Sequence, residues 1–186
     1  MPMMLSSALL ILLQLCSLQV MTVAMPRCGL QATVVQTAYN LLKDLGGPFP
    51  VHCLQYNANI SFPDSAFPAT SNHFQCDQAL RVVYESLRGA WLIFNDHDEL
   101  PDGLMWNKDK FDIFHNLQGR LLKEGSCFSS VGDSGVLSSY FSNVTAVLQQ
   151  QDSAACGWMA LRRDLLRVLM YNLQQHRNCF TKRPAH

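Results

Sequence analysis

The sequence predicts an all-α protein in which five amphipathic helices form an up-up-down-down bundle with a long crossover loop, cross-linked by disulfide bonds. Three features of the 186 residues support this fold. Apolar residues recur at helical spacing in five segments, whereas the alternation typical of strands is scarce. A connection of about 25 residues separates the first two segments. Six of the seven cysteines follow an apolar N-terminal leader.

The five apolar stripes fall within residues 30–45, 80–94, 111–122, 137–148 and 158–169. Gly46-Gly47-Pro48 ends the first segment, because glycine caps helices and proline cannot continue them. Gly125 ends the third segment in the same way. The stripes therefore predict five helices, each with one buried face.

The connection over residues 48–70 contains four prolines and no apolar stripe. Two parallel helices cannot be joined by a tight turn, so their loop must run the length of the bundle, as in cytokine bundles with crossover connections. The connection therefore favours a five-helix bundle of the cytokine type. The alternative is an up-down bundle with a decorated loop.

The first 24 residues carry no charged side chain and contain an apolar run of signal-peptide length. Thr22 and Ala24 supply small residues before a cleavage point, which we expect after Ala24. Residues 1–24 are therefore predicted to be a signal peptide and residues 25–186 the helical domain, with a buried N-terminal helix as the alternative. No later segment is long and apolar enough to span a bilayer, so we expect a secreted, extracellular protein without membrane insertion.

The cysteines that remain after this cleavage are Cys28, Cys53, Cys76, Cys127, Cys156 and Cys179. An even number in a secreted chain predicts three disulfides, although the count alone leaves their connectivity open. His52-Cys53 and His73-x-x-Cys76 are alternative metal ligands, but an oxidising compartment favours disulfides, and no metal or cofactor is predicted. Asn59 and Asn143 each begin an N-x-S/T triplet and are candidate glycosylation sites.

Signatures of catalysis are missing from the sequence. It contains no G-x-S-x-G elbow, H-E-x-x-H pair, phosphate-binding loop or dinucleotide fingerprint. The acidic residues around His97 do not have the spacing of a calcium loop. The 14 basic and 14 acidic side chains balance, so no net charge attracts nucleic acid. We therefore expect neither an enzyme nor a nucleic-acid-binding protein.

The last predicted helix has an unusual outer face. Its buried stripe begins at Trp158, two residues after Cys156. A rotation of about 100° per residue brings four other side chains together on the opposite side. These are Arg163, Leu166, Arg167 and Met170. A solvated face is ordinarily polar, whereas this one alternates arginine with hydrocarbon, so it is a candidate interface. An ordinary solvated arginine face is the alternative.

The segment Cys156-x-Trp158-x-x-Leu161-Arg162-x-Asp164-Leu165-x-Arg167 resembles the hallmark last helix of the type I interferons. Upstream, Tyr140-Phe141-x-x-Val144-Thr145-x-x-Leu148 resembles the helix that precedes it in that family. The long connection matches as well, with Cys53-Leu54, Ser61-Phe62-Pro63 and Phe67 at the family's spacing. The short interval between Cys127 and Cys156 resembles the fish members more than the mammalian ones.

This resemblance implies a monomeric, secreted antiviral cytokine. Such proteins bridge the two chains of a heterodimeric class II cytokine receptor on the cell surface and activate JAK-STAT signalling, which induces antiviral genes. The family's high-affinity receptor chain docks on the last helix and on the loop between the first two helices. Carried over by position, this receptor-binding site comprises Leu54, Asn57, Arg162, Arg163, Leu166, Arg167 and Met170. Mammalian members have a basic residue at the position of Asn57, so this contact differs here.

The family pattern also implies the disulfides Cys28–Cys127 and Cys53–Cys156, of which the second ties the last helix to the long loop. Cys76 and Cys179 are additional to that pattern. In a crossover bundle the start of the second helix and the end of the last lie at the same pole, so we predict a third bond, Cys76–Cys179. The alternatives to an interferon are another secreted four-helix cytokine or hormone and a secreted helical lipid carrier, which needs an internal apolar cavity.

Overall fold

The computed structural model describes residues 28–56, 60–68, 73–97, 100–130, 135–150 and 153–181. Within these residues there are five α-helices and no strand, which confirms the all-α prediction. They are α1 (Ala32–Asp44), α2 (His73–Asn95), α3 (Lys108–Glu124), α4 (Gly135–Leu148) and α5 (Ala154–Gln175). Short 3-10 turns cover Val51–Tyr56, Asp64–Ala66, Ser126–Ser130 and Arg177–Cys179. The predicted signal peptide lies outside the described residues.

Three disulfide bonds within the described residues fix the directions of the helices. With Cα atoms 5.9, 5.2 and 5.0 Å apart, they join Cys28 to Cys127, Cys53 to Cys156 and Cys76 to Cys179. The first bond brings the start of α1 beside the end of α3. The second brings the end of α1 beside the start of α5, and the third the start of α2 beside the end of α5. Helices α1 and α2 are therefore parallel to each other, and α3 and α5 run the opposite way.

The bundle of α1, α2, α3 and α5 thus has the up-up-down-down arrangement, and its crossover is the connection between α1 and α2. Helix α4 packs against α2 and α5. It runs antiparallel to α5, because Leu148 at its end meets Gly157 near the start of α5. The crossover is not structureless, since it contains two 3-10 turns and buries Ile60 and Phe62 in the core.

Helix α5 is the central helix and contacts α1, α2 and α4. Its predicted apolar stripe is buried throughout, and Trp158 lies among the rings of Phe94, Trp106 and Phe111 at centroid distances of 5.0, 5.6 and 5.7 Å. In α1 the pattern is less regular. The stripe predicted over residues 30–45 places Leu41 in the core, yet Leu42 is fully buried and Leu41 only partly buried. The difference is one residue of helical rotation.

At one pole of the bundle, the segment that leads into α1 pairs with the segment that follows α5. The amide of Thr181 donates to the carbonyl of Leu30 at 2.9 Å, and the amide of Ala32 donates to the carbonyl of Thr181 at 3.3 Å. A side chain at Gly29 would collide with the methyl group of Thr181, so glycine lets the two segments approach this closely without a shift of Thr181. Two of the three disulfides lie at this pole, and the Cys53–Cys156 bond lies at the other.

The third disulfide closes a shorter loop than its separation of 103 residues indicates. The route from Cys76 back to Cys53, across the second bond, and on from Cys156 to Cys179 contains about 46 residues. In the chain-entropy model, closing a loop of this size stabilises the native state by about 4 kcal/mol.

Candidate functional site

The outer face of α5 borders an open groove of about 490 Å³, which we call the α5 groove. Its other wall is formed by α1 and by the loop that follows α1. The groove brings together five of the predicted receptor-binding side chains, and residues from the opposite wall complete it. The predicted residues are Arg162, Arg163, Leu166, Arg167 and Met170, and the opposite wall includes Tyr39, Lys43 and Phe49. The surface is therefore both basic and apolar.

Arg163 ties α5 to the crossover. Its Nε donates to Asp164 Oδ1 at 2.8 Å, and its Nη2 donates to the carbonyl of Ile60 at 3.1 Å. The guanidinium also lies 4.8 Å from the ring centroid of Phe49, which is the geometry of a cation–π contact. Arg163 is thus partly buried and oriented by three different segments rather than extended into solvent.

Arg167 and Met170 form the exposed end of the groove. Arg167 makes an exposed ion pair with Asp64 and lies 5.0 Å from the ring centroid of Phe67. Met170 is 41% exposed, and its sulfur lies 3.9 Å from the hydroxyl of Tyr39. Leu166 is partly buried in the wall between them. The apolar side chains offer hydrocarbon surface that a binding partner can bury, and the arginine offers positive charge that can orient the partner.

Arg162 lies at the bottom of the α5 groove and is the least exposed of the predicted site residues in it, at 6%. Its Nε donates to the carbonyl of Leu42 at 2.7 Å, and Nη1 donates to that of Gly47 at 2.8 Å. Nη2 donates to the carbonyls of Lys43 and Gly46 at 2.8 and 2.7 Å. Arg162 therefore satisfies the carbonyls at the C-terminal end of α1 and in the following turn, and it supports the groove from beneath.

A buried polar pair lies below Arg163. The hydroxyl of Tyr140 on α4 donates to Asp164 Oδ2 at 2.8 Å. Burial, and then the neighbouring Asp164 carboxylate, raises the pKa of Tyr140 well above its ordinary value, so the hydroxyl keeps its proton. Burial also raises the pKa of Asp164, while hydrogen bonds from Arg163 and Tyr140 act in the opposite direction. Tyr140 on α4 and Arg163 on α5 therefore both donate hydrogen bonds to the Asp164 carboxylate.

The remaining predicted site residues do not line the α5 groove. Leu54 is 53% exposed on the 3-10 turn Val51–Tyr56, beside the bond between Cys53 and the start of α5. Asn57 and Asn59 lie outside the described residues. Asn143 is exposed on α4, where its side chain is accessible to a glycan.

The alternative metal ligands do not form a thiolate site in the described part of the chain. One nitrogen of His52 and the sulfurs of Cys53 and Cys156 lie within 4.8 Å of one another. The two sulfurs are joined in a disulfide, so neither is a thiolate that binds metal. The side chain of His73 lies outside the described residues.

Phe49 and Tyr39 were missed by the sequence reasoning. Phe49 stands between Pro48 and Pro50, and an aromatic residue held by two prolines was a local indication of a fixed position. Tyr39 lies at the edge of the buried stripe of α1, where the helical period alone does not separate the core from an interface.

A bundle with two parallel leading helices, a long crossover and a central last helix defines the class of helical cytokines. The family model of the interferon alpha/beta domain matches residues 29–178. Zebrafish interferon 2 has a similar structure, with a TM-score of 0.63 and 32% identity over 79% of this chain and 99% of that one. The chain therefore belongs to the interferon alpha/beta family, the type I interferons.

Mammalian relatives are more distant. Human interferon alpha-17 is 24% identical over 80% of this chain and 87% of its own length, and bovine interferon alpha-B is 26% identical over 73% and 76%. Family membership makes the chain a receptor-binding cytokine with an antiviral role and not an enzyme, a hormone of another class or a lipid carrier. None of the described helices is long and apolar enough to cross a membrane.

Proposed function

We propose that the protein is secreted after cleavage behind Ala24 and acts as a monomer that bridges two different class II cytokine receptor chains. Bridging brings together the kinases bound to the receptor chains, and JAK-STAT signalling then induces antiviral genes. The sequence of the leader and membership of the interferon alpha/beta family support secretion and receptor binding.

The observation that carries the proposal is the α5 groove. Hot spots of interfaces combine apolar burial with arginine, and the groove offers Leu166 and Met170 beside Arg163 and Arg167. Leu54 and Asn57 extend the proposed receptor-binding site along the crossover, and Arg162 acts beneath it as a support. Glycans are proposed on Asn59 and Asn143.

Receptor binding is tested with the mature chain in which all three disulfides have formed. Met170→Asp places a charge in the groove at an exposed position, and Val136→Asp is the matched control at a similarly exposed residue of α4. We expect Met170→Asp to weaken binding to one immobilised receptor ectodomain by about 30-fold, which corresponds to about 2 kcal/mol. Val136→Asp should leave binding to that ectodomain unchanged.

Phosphorylation of STAT in cells of the same species gives the second readout. Met170→Asp should shift the dose response to higher concentration in proportion to the lost affinity, at unchanged helical circular dichroism. A folded wild-type protein that gives no phosphorylation in cells responsive to another type I interferon contradicts the proposed function. Equal potency of Met170→Asp and wild type rejects the α5 groove as the binding surface.

A further inference from the structure

Two of the most exposed large apolar side chains in the described residues are Met105 and Val51, at 89% and 80% exposure. Met105 belongs to the loop that precedes α3, and Val51 begins the 3-10 turn after α1. A single exposed methionine needs no explanation, but exposed apolar side chains gathered at one place mark an interaction surface. Leu54, which is also exposed, lies on the same turn as Val51.

The loop around Met105 is held firmly against the end of α1. The amide of Asn107 donates to the carbonyl of Leu45 at 2.9 Å. Trp106 is buried, and its Nε1 lies 3.2 Å from the sulfur of Met159 on α5. The carbonyl of Met105 lies 3.3 Å from the position that a Cβ of Gly46 would occupy. Met105 is therefore exposed on a fixed backbone, with the next residue anchored in the core.

A cavity of about 180 Å³ connects this loop to the crossover, and Pro48, Pro50 and Met105 are among its lining residues. The cavity shares Gly47, Pro48 and Met159 with the α5 groove, so the two lie side by side. One surface consequently extends from Met170, past Phe49 and the prolines, to Met105. Among the described residues that line the cavity there is no Asp, Glu, Lys or Arg, whereas the α5 groove is basic.

We propose that the apolar end of this surface, formed by Pro48, Pro50 and Met105, is a third contact for the receptor chain that binds the α5 groove. The proposal rests on the proposed function and adds the loop before α3 to the site. The partner surface it fits has apolar side chains opposite Met105 and acidic side chains opposite the arginines of α5. The Cys53–Cys156 bond joins the crossover to α5, so both parts meet the receptor in fixed positions and less ordering is required on binding.

The test measures binding of the mature, disulfide-bonded protein to each receptor ectodomain separately. Met105→Glu introduces charge at a residue that is almost fully exposed, so folding should not change. We expect it to weaken binding to the ectodomain that Met170→Asp also affects by about 10-fold or more, and to leave the other ectodomain unaffected. Met105→Leu preserves the apolar contact and should bind like the wild type.

The controls separate this inference from the proposed function. Val136→Glu carries the same charge change on α4 and should bind both ectodomains normally. If Met170→Asp weakens binding and Met105→Glu does not, the α5 groove remains the site and the third contact is wrong. If Met105→Glu weakens only the ectodomain that is insensitive to Met170→Asp, the proposed continuity is also wrong. Failure of the wild type to bind either ectodomain refutes the proposed function and, with it, this inference.

Discussion

Replacing Arg162 by methionine tests the role of its four hydrogen bonds in the end of α1. The change keeps most of the hydrocarbon and removes every donor. The carbonyls of Lys43 and Gly47 belong to exposed residues, so water replaces the guanidinium as their hydrogen-bond donor. We therefore count only the hydrogen bonds to the carbonyls of Leu42 and Gly46 as lost. Hydrogen bonds from a charged donor contribute about 1.5–3 kcal/mol each, which predicts a loss of about 3 kcal/mol or more in the free energy of unfolding.

Urea denaturation followed by circular dichroism measures this loss as a shift of the midpoint at constant slope. Arg167→Met is the matched control on the same helix, because it removes an exposed ion pair that contributes about 0–1 kcal/mol. Arg162→Lys keeps the charge but not the planar fork of donors, so its stability should lie between the methionine variant and the wild type.

A loss for Arg162→Met no greater than that for Arg167→Met refutes the reasoning, because the carbonyls would then not depend on the guanidinium. A loss of stability without any weakening of receptor binding, measured below the unfolding transition, shows that Arg162 does not hold the groove in its binding shape.

Three further variants test other parts of the structure. Tyr140→Phe removes a donor from the buried Asp164 carboxylate, and urea denaturation should show a loss of about 1–3 kcal/mol. Replacing Cys76 and Cys179 together by serine should reduce stability by up to about 4 kcal/mol in the same assay, from the shortened loop described above. Burial lowers the pKa of His176, so its neutral form stabilises the native state fully above about pH 6.5, and this stabilisation declines as pH falls toward the lowered native pKa. His176→Gln should therefore reduce the difference in stability between pH 7.5 and 5.5, by at most about 1.4 kcal/mol, because pH 5.5 lies about one unit below the ordinary pKa.

Each of these has a result that contradicts it. Unchanged stability of Tyr140→Phe means that the remaining partner of the carboxylate is sufficient. A double serine variant as stable as the wild type means that the unfolded chain gains little freedom without the third bond. If the stability of His176→Gln depends on pH as strongly as that of the wild type, groups other than His176 cause the pH dependence.

The helices were predictable because each buries one face, and a 3.6-residue period reports which residues share that face. The position of Arg162 was not predictable by this means. It is one residue from Arg163, and the difference between a buried and a partly exposed arginine depends on four carbonyls supplied by α1 and its following turn. Periodicity gives an angle around a helix and no information on what another segment places there.

The contributions of the turn after α1 and of the loop before α3 to the candidate site could not be predicted from the sequence, for a related reason. Phe49 and Met105 lie in segments without period, so no stripe distinguishes an anchored aromatic from an exposed methionine. Their exposure follows from how the turn after α1 and the loop before α3 pack together, through contacts between distant residues such as Asn107 and Leu45.

The separation of the two poles determines where the protein tolerates attachment. The described chain ends at Thr181, at the pole with two disulfides, while the apolar end of the proposed site lies at the other. Helix α5 spans 22 residues, which corresponds to about 33 Å between the poles. A fluorophore, an affinity tag or a fused carrier attached to the residues that follow Thr181 therefore leaves the apolar end accessible, and immobilising the protein through those residues presents this end to a receptor in solution.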